Sequence, residues 1–425
     1  MFKKISLIKE KVFKRLFRVS VRFNAPRISG VALALLTSTL NKNAGKRVLY
    51  IGSAGSLGDI DALMKYSGRL QYLRIERWHF RRILDKYVPY SDITETSYYH
   101  EEKYREGLLK VREFIDKLFS VYRFILSLDA VMTTNIGYIE QLELLSVCKS
   151  RKVPVVILFR EGVGNRHALE VDMMRWEKKK AICDLFICNG DLIKEKILEH
   201  QIEGLDSHNM KVCGIPRLDV YSRKNISRKK NQLVFFTYET HLKMDRYFKD
   251  QKSKKEFFGR SRKFTEDVFK LADDRQDIDF ILKTKGSYPL LLAAKKEAEE
   301  YFKGKKFPSN LRIICDELAA DLILESRWVL GSSDSTVVLE AIIAKRPVAC
   351  PDFDDLFETD SWDLFEGPTE MISRIRNYDD LAKFVKRGDH ISGSDGKLDK
   401  LLERYFYKTD GFASERVERA IEALL

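Results

Sequence analysis

Residues 327–350 read RWVLGSSDSTVVLEAIIAKRPVAC, a pattern that predicts a strand, a polar turn, a helix and a second strand. After a strand at residues 328–330, Gly331 releases the chain into the run Ser-Ser-Asp-Ser-Thr. Such a turn places hydroxyl and backbone N–H groups at a helix N-terminus, where hydrogen bonds and the helix dipole both favour a bound phosphate. The candidate phosphate ligands are Ser332, Ser333, Ser335 and Thr336.

Glu340 follows Thr336 by four residues, so the two side chains share one face of the predicted helix. A carboxylate in that place can accept hydrogen bonds from two ribose hydroxyls. The same residues also allow a plainer interpretation, because Ser, Asp and Thr are ordinary N-cap residues and Glu340 can be a solvent-exposed helix residue. The residues alone allow both interpretations.

The whole string through Cys350 resembles the donor-binding signature of GT-B glycosyltransferases. In that family the Ser/Thr turn holds the donor phosphate, and the Glu commonly holds the ribose. A second motif, Gly-Ile-Pro-Arg-Leu-Asp at residues 214–219, resembles the step that ends the N-terminal domain in many bacterial transferases of cell-surface polysaccharides and in glycerophosphate transferases. The resemblance implies an α/β fold of two Rossmann-like domains facing each other across a cleft. It also implies no obligatory divalent metal, and no cofactor beyond a nucleotide-sugar donor as cosubstrate.

From Arg47 onward the sequence alternates short strand-like runs with helical patterns, which is typical of βαβ units around a parallel sheet. The candidate strands are residues 48–51, 71–75, 130–134, 153–159, 185–188 and 211–213, followed by 233–237, 280–283, 312–315, 328–330 and 348–350. A chain of 425 residues fits two domains of about 200 residues each. We therefore expect a basic amphipathic segment (1–45), an acceptor-side domain (46–221), a donor nucleotide-binding domain (222–405) and a C-terminal helix (406–425) that packs back across the domains.

The N-terminus is basic and amphipathic. Lys and Arg outnumber Asp and Glu by 13 over the chain, and the first 23 residues carry eight of these cations with one acid, Glu10. Apolar residues recur there at helical spacing, at Ile5, Ile8, Val12, Leu16 and Val19. Such a helix can lie in the interface of an anionic bilayer. The alternatives are a helix packed on the protein's own core and an organellar presequence.

The cysteine pattern and the lengths of the apolar runs favour a cytoplasmic location. The six cysteines form no CxxC or Cys/His cluster and read as reduced core residues, so we expect no structural zinc. The apolar run at residues 31–36 is far shorter than the roughly 20 residues that a membrane-spanning helix needs. We expect a cytoplasmic protein held at the inner face of the cytoplasmic membrane through residues 1–23. Nucleic acid is not an expected partner, because the excess charge is concentrated in one segment.

Two acidic residues are candidates for a general base. Glu161 follows the strand at residues 153–159, at the sheet edge where open α/β sheets form their sites. The run Phe-Arg-Glu-Gly around it resembles the acidic-Gly motif of transferases that use CMP-activated acidic sugars such as sialic acid and Kdo, although Arg160 replaces one of their two acids. Glu161 can instead pair with a neighbouring arginine. Asp59 ends a glycine-rich loop that begins at Gly52 and is the second candidate.

Other polar residues follow predicted strands and are candidate substrate contacts. On the acceptor side these are Ser56, Asn135 and Tyr138. On the donor side they are Lys283 and Lys285, which can neutralise a leaving phosphate, and Thr240 and His241, which follow the first strand of the second domain. The lysines stand where the CMP-sugar transferases have a Lys-x-His-Pro-like motif, but the His is missing. Exposed lysines and a structural histidine are the plainer interpretations.

These observations predict a glycosyltransferase that moves a sugar from a nucleotide-activated donor, such as CMP-Kdo or a related acidic sugar, to a surface polysaccharide or lipid-linked glycan. The alternatives on the same scaffold are a CDP-polyol phosphotransferase and a sugar-nucleotide epimerase. A non-catalytic basic protein that binds membranes or polyanions is the alternative of another class.

Overall fold

Two β-sheets organise the chain. The computed structural model describes residues 2–52, 57–94, 97–160, 166–224, 229–237, 248, 250–285, 288–332, 335–356, 372–387 and 397–425. Within these residues the strands are β1 (Ser38–Thr39), β2 (Arg47–Ile51), β3 (Gln71–Ile75), β4 (Ala130–Thr133), β5 (Val155–Leu158), β6 (Leu185–Cys188), β7 (Met210–Val212), β8 (Gln232–Phe236), β9 (Asp279–Lys283), β10 (Leu311–Ile314), β11 (Trp328–Leu330), β12 (Val348–Pro351) and β13 (Ile372–Ile375).

Both sheets have a doubly wound order. The first runs β1-β3-β2-β4-β5-β6-β7 and is parallel except where β1 pairs antiparallel with β3. The second runs β10-β9-β8-β11-β12-β13 and is parallel throughout its described pairings. In each sheet the chain builds one side from a central strand and then crosses to the other side, as in Rossmann folds. The expected α/β fold of two parallel-sheet Rossmann-like domains is confirmed.

Helices connect the strands. In the described part of the chain they are α1 (Phe2–Arg22), α2 (Pro26–Leu36), α3 (Leu57–Tyr66), α4 (Trp78–Tyr87), α5 (Ser97–His100), α6 (Arg105–Leu126), α7 (Ile139–Ser150), α8 (Arg166–Trp176), α9 (Asp191–Glu199), α10 (Asp219–Arg223), α11 (Gln251–Asp274), α12 (Tyr288–Tyr301), α13 (Ala319–Glu325), α14 (Thr336–Ile343), α15 (Tyr378–Arg387), α16 (Lys397–Phe406) and α17 (Ala413–Glu422). Short 3₁₀ turns lie at Glu102–Tyr104, Pro216–Leu218 and Asp354–Leu356.

All the candidate strands are present, with bounds that differ from the expected ones by at most two residues. Sequence reasoning missed β1 and β13. Both residues of β1 are exposed, and β13 reads Ile-Ser-Arg-Ile with only its two ends buried. Neither strand carries the apolar run that marks a central parallel strand, because each lies at the edge of its sheet.

The chain passes between two compact units more than once. It enters the second unit at Val220 and returns to the first at Leu402, and residues 166–170 of α8 also cluster with the second unit. In the first unit, side chains of α3 and α17 pack on strands β2 to β6. In the second unit, side chains of α11, α12 and α15 pack on the second sheet.

The helix α17 is fixed to the first unit by two buried carboxylates. Asp219 accepts hydrogen bonds from the backbone N–H groups of Ala413 (2.9 Å) and Ser414 (2.8 Å), at the N-terminus of α17. Glu418, within α17, accepts from the hydroxyl of Tyr72 and the N–H of Arg69, both at 2.7 Å. The N-terminus of a helix favours a negative charge, so Asp219 both satisfies the free N–H groups of α17 and fixes the position of this helix.

The N-terminal helix α1 packs on the first unit through Phe17 and Val21, which are buried. The ring of Phe17 meets the ring of His79 edge-on, with 5.4 Å between the centroids. Lys86 donates to the carbonyl of Val21 (2.8 Å) and so satisfies one of the last carbonyls of α1. Helix α1 is therefore held by α4, which carries both His79 and Lys86.

This packing predicts a pH dependence. Burial, assisted by the charges of Lys14, Arg82 and Arg18, lowers the pKa of His79 from 6.5 to about 4. Because the folded protein binds this proton less readily than the unfolded chain, the stability supplied by neutral His79 is complete above pH 6.5 and falls as the pH drops toward 4. We expect the free energy of unfolding to lose about 2 kcal/mol between pH 7 and pH 5 through this group.

Denaturant unfolding of the wild type and of His79→Phe at both pH values measures the effect. The variant should show a smaller loss of stability between pH 7 and pH 5. An equal loss in both proteins would contradict the assignment of this pH dependence to His79.

Candidate functional site

The Ser/Thr turn lies at the point where the strand order of the second sheet reverses. Strands β8 and β11 are parallel neighbours that pair Phe235 with Leu330, and the sheet extends to β9 and β10 on one side and to β12 and β13 on the other. Open α/β sheets bind ligands beyond the carboxyl ends of the strands at such a point. Gly331 and Ser332 directly follow β11 there, so the turn is placed for ligand binding by the topology of the sheet.

Ser335 stands at the N-terminus of α14 but does not cap the helix through its side chain. Ser335 is the N-cap residue of α14, with an extended backbone, and its side chain makes no capping hydrogen bond. The turn is instead closed by backbone hydrogen bonds from Ser335 N to Ser332 O (2.9 Å) and from Val338 N to Ser335 O (3.0 Å). The interpretation of Ser335 as a side-chain cap is therefore wrong. Ser333 lies outside the described residues, and phosphate binding by Ser332, Ser335 and Thr336 stays a prediction.

Glu340 is a buried residue of α14. The residue is only 8% exposed, and its carboxylate accepts a hydrogen bond from the hydroxyl of Tyr221 at 2.7 Å. The interpretation of Glu340 as a solvent-exposed helix residue is therefore wrong. Tyr221 was not found by sequence reasoning, since the two residues are 119 positions apart and no local pattern links them.

The two candidate lysines differ in their surroundings. Lys283 ends β9 and is buried; its ammonium donates to the carbonyls of Thr284 (2.7 Å) and Cys315 (2.8 Å). Burial lowers the pKa of Lys283. Lys285 is exposed at the same edge of the sheet. Neutralisation of a phosphate by either lysine stays a prediction, and Lys285 is the better placed of the two because its side chain reaches solvent. Thr240 and His241 lie outside the described residues.

A cavity of about 620 Å³ lies in the second unit beside the ends of β12 and β13. Its cations are already paired with carboxylates: Arg260 with Asp355 (2.7 Å), Lys263 with Asp267 (2.6 Å) and Arg376 with Asp352 (2.9 Å). A phosphate in this cavity would have to compete with those carboxylates. The Ser/Thr turn, where helix N–H groups are the donors, is therefore the stronger candidate for an anionic ligand.

Asp59 lies at the corresponding reversal point of the first sheet, in the first turn of α3, which follows β2. It is 2% exposed, and its carboxylate pairs with Arg217 (3.0 Å) and lies 3.9 Å from the guanidinium of Arg160. Arg217 also donates its backbone N–H to Asp59 (3.2 Å). The carboxylate is thus held by arginine. Its role as a general base stays a prediction; Glu161 and Ser56 lie outside the described residues.

Three residues of the motif at 214–219 make contacts within the first unit that explain their identity. Gly214 has a φ of +84°, which favours glycine, and a side chain there would come within 3.0 Å of the carbonyl of Phe406. Arg217 binds Asp59, and Asp219 caps α17. Sequence reasoning detected the motif by resemblance but not the partners that give it a physical role.

The acceptor-side candidates make internal contacts. Asn135 is buried, and its side-chain oxygen accepts from the N–H of Gly137 (2.5 Å), which closes the turn after β4. The ring of Tyr138 lies under the guanidinium of Arg77, 3.8 Å from the ring centroid, and Arg77 pairs with the buried Glu140 at 3.1 Å. Contacts of Asn135 and Tyr138 with an acceptor stay predictions.

The residues that the structure describes contain no group of three or more His, Cys, Asp or Glu side chains that could hold a metal ion. Among the helices that the structure describes, none combines the length and apolar character that a bilayer crossing needs.

Comparison with known proteins identifies the fold. No protein-family model matches the chain, and no curated protein sequence matches it significantly. A solved structure from Listeria monocytogenes, assigned as a UDP-N-acetylglucosamine 2-epimerase, is similar with a TM-score of 0.51 and 15% identity over 89% of this chain and 96% of its own. The UDP-GlcNAc 2-epimerase of Methanocaldococcus jannaschii has a TM-score of 0.50 and 14% identity over 89% of this chain and 99% of its own. At these identities the similarity establishes a shared two-domain fold of the GT-B type.

Proposed function

We propose that the chain is an enzyme that acts on a nucleotide sugar and binds the nucleotide at the carboxyl edge of the second sheet. The position of the Ser/Thr turn at the reversal point between β8 and β11 carries this proposal. In it, the hydroxyls and N–H groups of the turn bind phosphate, and Glu340, one helical turn further, binds the ribose. The resemblance of residues 327–350 to a donor-binding signature supports the same assignment.

Epimerisation of the sugar is our first candidate reaction. The similar structures from Listeria monocytogenes and Methanocaldococcus jannaschii are named for the 2-epimerisation of UDP-N-acetylglucosamine, and the chain has their fold over 89% of its length. Such a reaction needs the nucleotide sugar alone and no acceptor. We include no further cofactor in the proposal.

Transfer of the sugar to a surface polysaccharide or lipid-linked glycan is the second candidate, and the basic N-terminal helix favours it. Exposed apolar side chains on α1 suit a protein that works at a membrane, at the inner face of the cytoplasmic membrane in this proposal. A soluble nucleotide sugar gives an epimerase no reason to be there, whereas a lipid-linked acceptor does. The donor in this case is CMP-Kdo or a related acidic sugar, or a UDP-sugar.

Thermal unfolding with CMP, CDP, UDP and GDP tests the shared part of the proposal. A nucleotide present at about 100 times its Kd should raise the Tm by about 5 °C. The nucleotide with the largest shift identifies the donor base. If none of the four nucleotides raises the Tm, the assignment of a nucleotide site is wrong; a shift with a CDP-polyol and with no nucleotide sugar would indicate polyol phosphate transfer.

Incubation with UDP-N-acetylglucosamine in D₂O separates the two reactions. In an epimerisation that removes the proton from one face of the carbon and returns a proton from solvent to the other face, the C–H bond breaks and a C–D bond forms in D₂O. An epimerase of this kind should therefore produce, without any acceptor, a second sugar nucleotide that carries deuterium on the inverted carbon. A transferase should leave that carbon unlabelled. Deuterium exchange without acceptor therefore establishes epimerisation, and its absence together with acceptor-dependent release of the nucleotide establishes transfer.

A further inference from the structure

Helix α1 carries an exposed apolar stripe. Val12, Leu16 and Val19 are 55%, 38% and 44% exposed, and Phe23, just after the helix, is 72% exposed. Steps of four, three and four residues place these side chains on one side of the helix. The stripe includes three of the apolar residues that the sequence pattern singles out.

The stripe is not the side of α1 that packs on the protein. The helix contacts the first unit through Phe17 and Val21, which are at most 5% exposed, and through the buried Ser20. The hydroxyl of Ser20 is hydrogen-bonded to that of Ser29 in α2 (2.8 Å). The helix is therefore packed on the protein's own core, as one of the alternatives expected, but its apolar stripe at Val12, Leu16 and Val19 is exposed on another side.

Helix α2 extends the exposed apolar surface. Ile28, Val31 and Leu35 are 51%, 40% and 52% exposed and follow one another at helical spacing. Its other side approaches α6 so closely that a side chain at Gly30 would lie 2.5 Å from the carbonyl oxygen of Leu118. A fixed pair of helices thus presents two apolar stripes, and we name it the α1–α2 hairpin (residues 2–36).

The hairpin is also strongly basic. Among the hairpin residues from Glu10 onward, whose side chains the structure describes, the exposed cations are Lys11, Arg15, Arg18, Arg22 and Arg27. The acid in this segment, Glu10, is paired with Lys14. Large exposed apolar surfaces mark interaction sites, and the cations that flank this one match a negatively charged partner. An anionic lipid surface matches both features, because its headgroups attract the cations and its acyl region buries the apolar side chains.

We infer that the α1–α2 hairpin binds an anionic membrane, with the stripes of α1 and α2 in the acyl boundary and the five exposed cations at the headgroups. This inference deepens the membrane part of the proposed function by naming the surface. It stands apart from the nucleotide chemistry, because every residue that carries it belongs to the first unit, whereas the Ser/Thr turn and Glu340 belong to the second.

Sedimentation with lipid vesicles tests the inference on the full chain. Vesicles of phosphatidylcholine with about 30% phosphatidylserine should bind the wild type, and vesicles of phosphatidylcholine alone should not. The variant Leu16→Ser/Val19→Ser/Phe23→Ser should bind the anionic vesicles about 100-fold more weakly, because three apolar side chains no longer enter the bilayer. The variant Arg15→Gln/Arg18→Gln/Arg22→Gln should also bind on the order of 100-fold more weakly, because each cation contributes about 1 kcal/mol, or roughly fivefold in affinity.

A matched control uses exposed apolar residues of a helix in the second unit. Tyr288 and Leu292 of α12 are 67% and 49% exposed and four residues apart, so Tyr288→Ser/Leu292→Ser removes similar surface elsewhere. It should bind vesicles like the wild type. Circular dichroism and thermal unfolding check that each variant is folded.

Three outcomes would overturn the inference. The first is a wild type that does not sediment with anionic vesicles. The second is an apolar variant that binds these vesicles like the wild type. The third is a dimer in solution that the apolar variant dissociates, which would make the hairpin an interface between copies. The thermal shift with nucleotides, measured on the same preparations, reports separately on the nucleotide site. If nucleotide raises the Tm of the wild type but the wild type does not sediment with vesicles, the membrane inference is contradicted and the nucleotide site is not.

Discussion

Replacing Glu340 with alanine is expected to weaken nucleotide binding about 100-fold. Under the proposed function the carboxylate accepts hydrogen bonds from two ribose hydroxyls, and bonds to a charged group contribute about 1.5–3 kcal/mol each. A loss of about 3 kcal/mol corresponds to roughly 100-fold in Kd. Calorimetric titration with the nucleotide that gives the largest thermal shift measures the change.

A ligand that lacks the ribose hydroxyls makes this test specific. The wild type should bind the 2′,3′-dideoxy nucleotide about 100-fold more weakly than the ribonucleotide, whereas Glu340→Ala should bind the two alike. If Glu340→Ala still prefers the ribonucleotide by the same factor, Glu340 is not the ribose ligand. This comparison is made within one protein, so a general loss of stability does not imitate it.

Two further variants serve as controls. Tyr221→Phe removes the 2.7 Å hydrogen bond to Glu340 but leaves the carboxylate, so it reports how much of the effect comes from positioning. We expect it to weaken binding less than Glu340→Ala does. Glu299→Ala removes an exposed carboxylate from α12, also in the second unit, and should bind nucleotide like the wild type.

Asp219→Ala is expected to destabilise the first unit by about 4 kcal/mol. Asp219 is 2% exposed and accepts two backbone N–H groups at the N-terminus of α17, at 2.9 and 2.8 Å. Alanine leaves both donors buried without their charged acceptor, at about 1.5–3 kcal/mol for each bond. Because α17 packs into the core of the first unit through Val417 and Ile421, its loosening weakens that core as well.

Denaturant unfolding, followed by a probe in the first unit, measures this loss. The matched control is Asp206→Ala, since Asp206 also accepts two backbone N–H groups, from His208 and Asn209, but is exposed to water that can replace it. We expect the control to have nearly the stability of the wild type. An Asp219→Ala protein as stable as the Asp206→Ala protein would show that the cap of α17 is not a main support of the unit.

The sequence predicts the strands well because each central strand is a short run of apolar residues between helical patterns. The same local character reveals the turn at residues 331–336, whose glycine and hydroxyl residues break the pattern. The longest helix that the structure describes in the second unit, α11, lies between the strands at 233–237 and 280–283, where the sequence predicts a helical stretch, and its signals are local. Asp250 caps it by accepting from Ser253 N (2.7 Å), and buried residues such as Phe257, Phe264 and Val268 recur along it.

The partners of the site residues were beyond sequence reasoning because they come from distant parts of the chain. Glu340 meets Tyr221 across 119 positions, and Asp59 meets Arg217 across 158. One residue of the donor-like motif has a structural role that the resemblance did not indicate. Arg346, within the string that resembles a donor signature, is buried and donates to the carbonyls of Ile323 (3.2 Å) and Leu324 (2.6 Å) near the end of α13, which gives it a structural role.

The place of α17 in the chain has a consequence for biosynthesis. The first unit needs residues 402–425 for its core and for the partner of Asp219, yet the ribosome makes these residues only after the whole of the second unit. The second unit lies in one continuous piece from Val220 to Leu401, apart from residues 166–170. We therefore expect the second unit of the nascent chain to fold first, and the first unit to stay incomplete until residues 402–425 have been made.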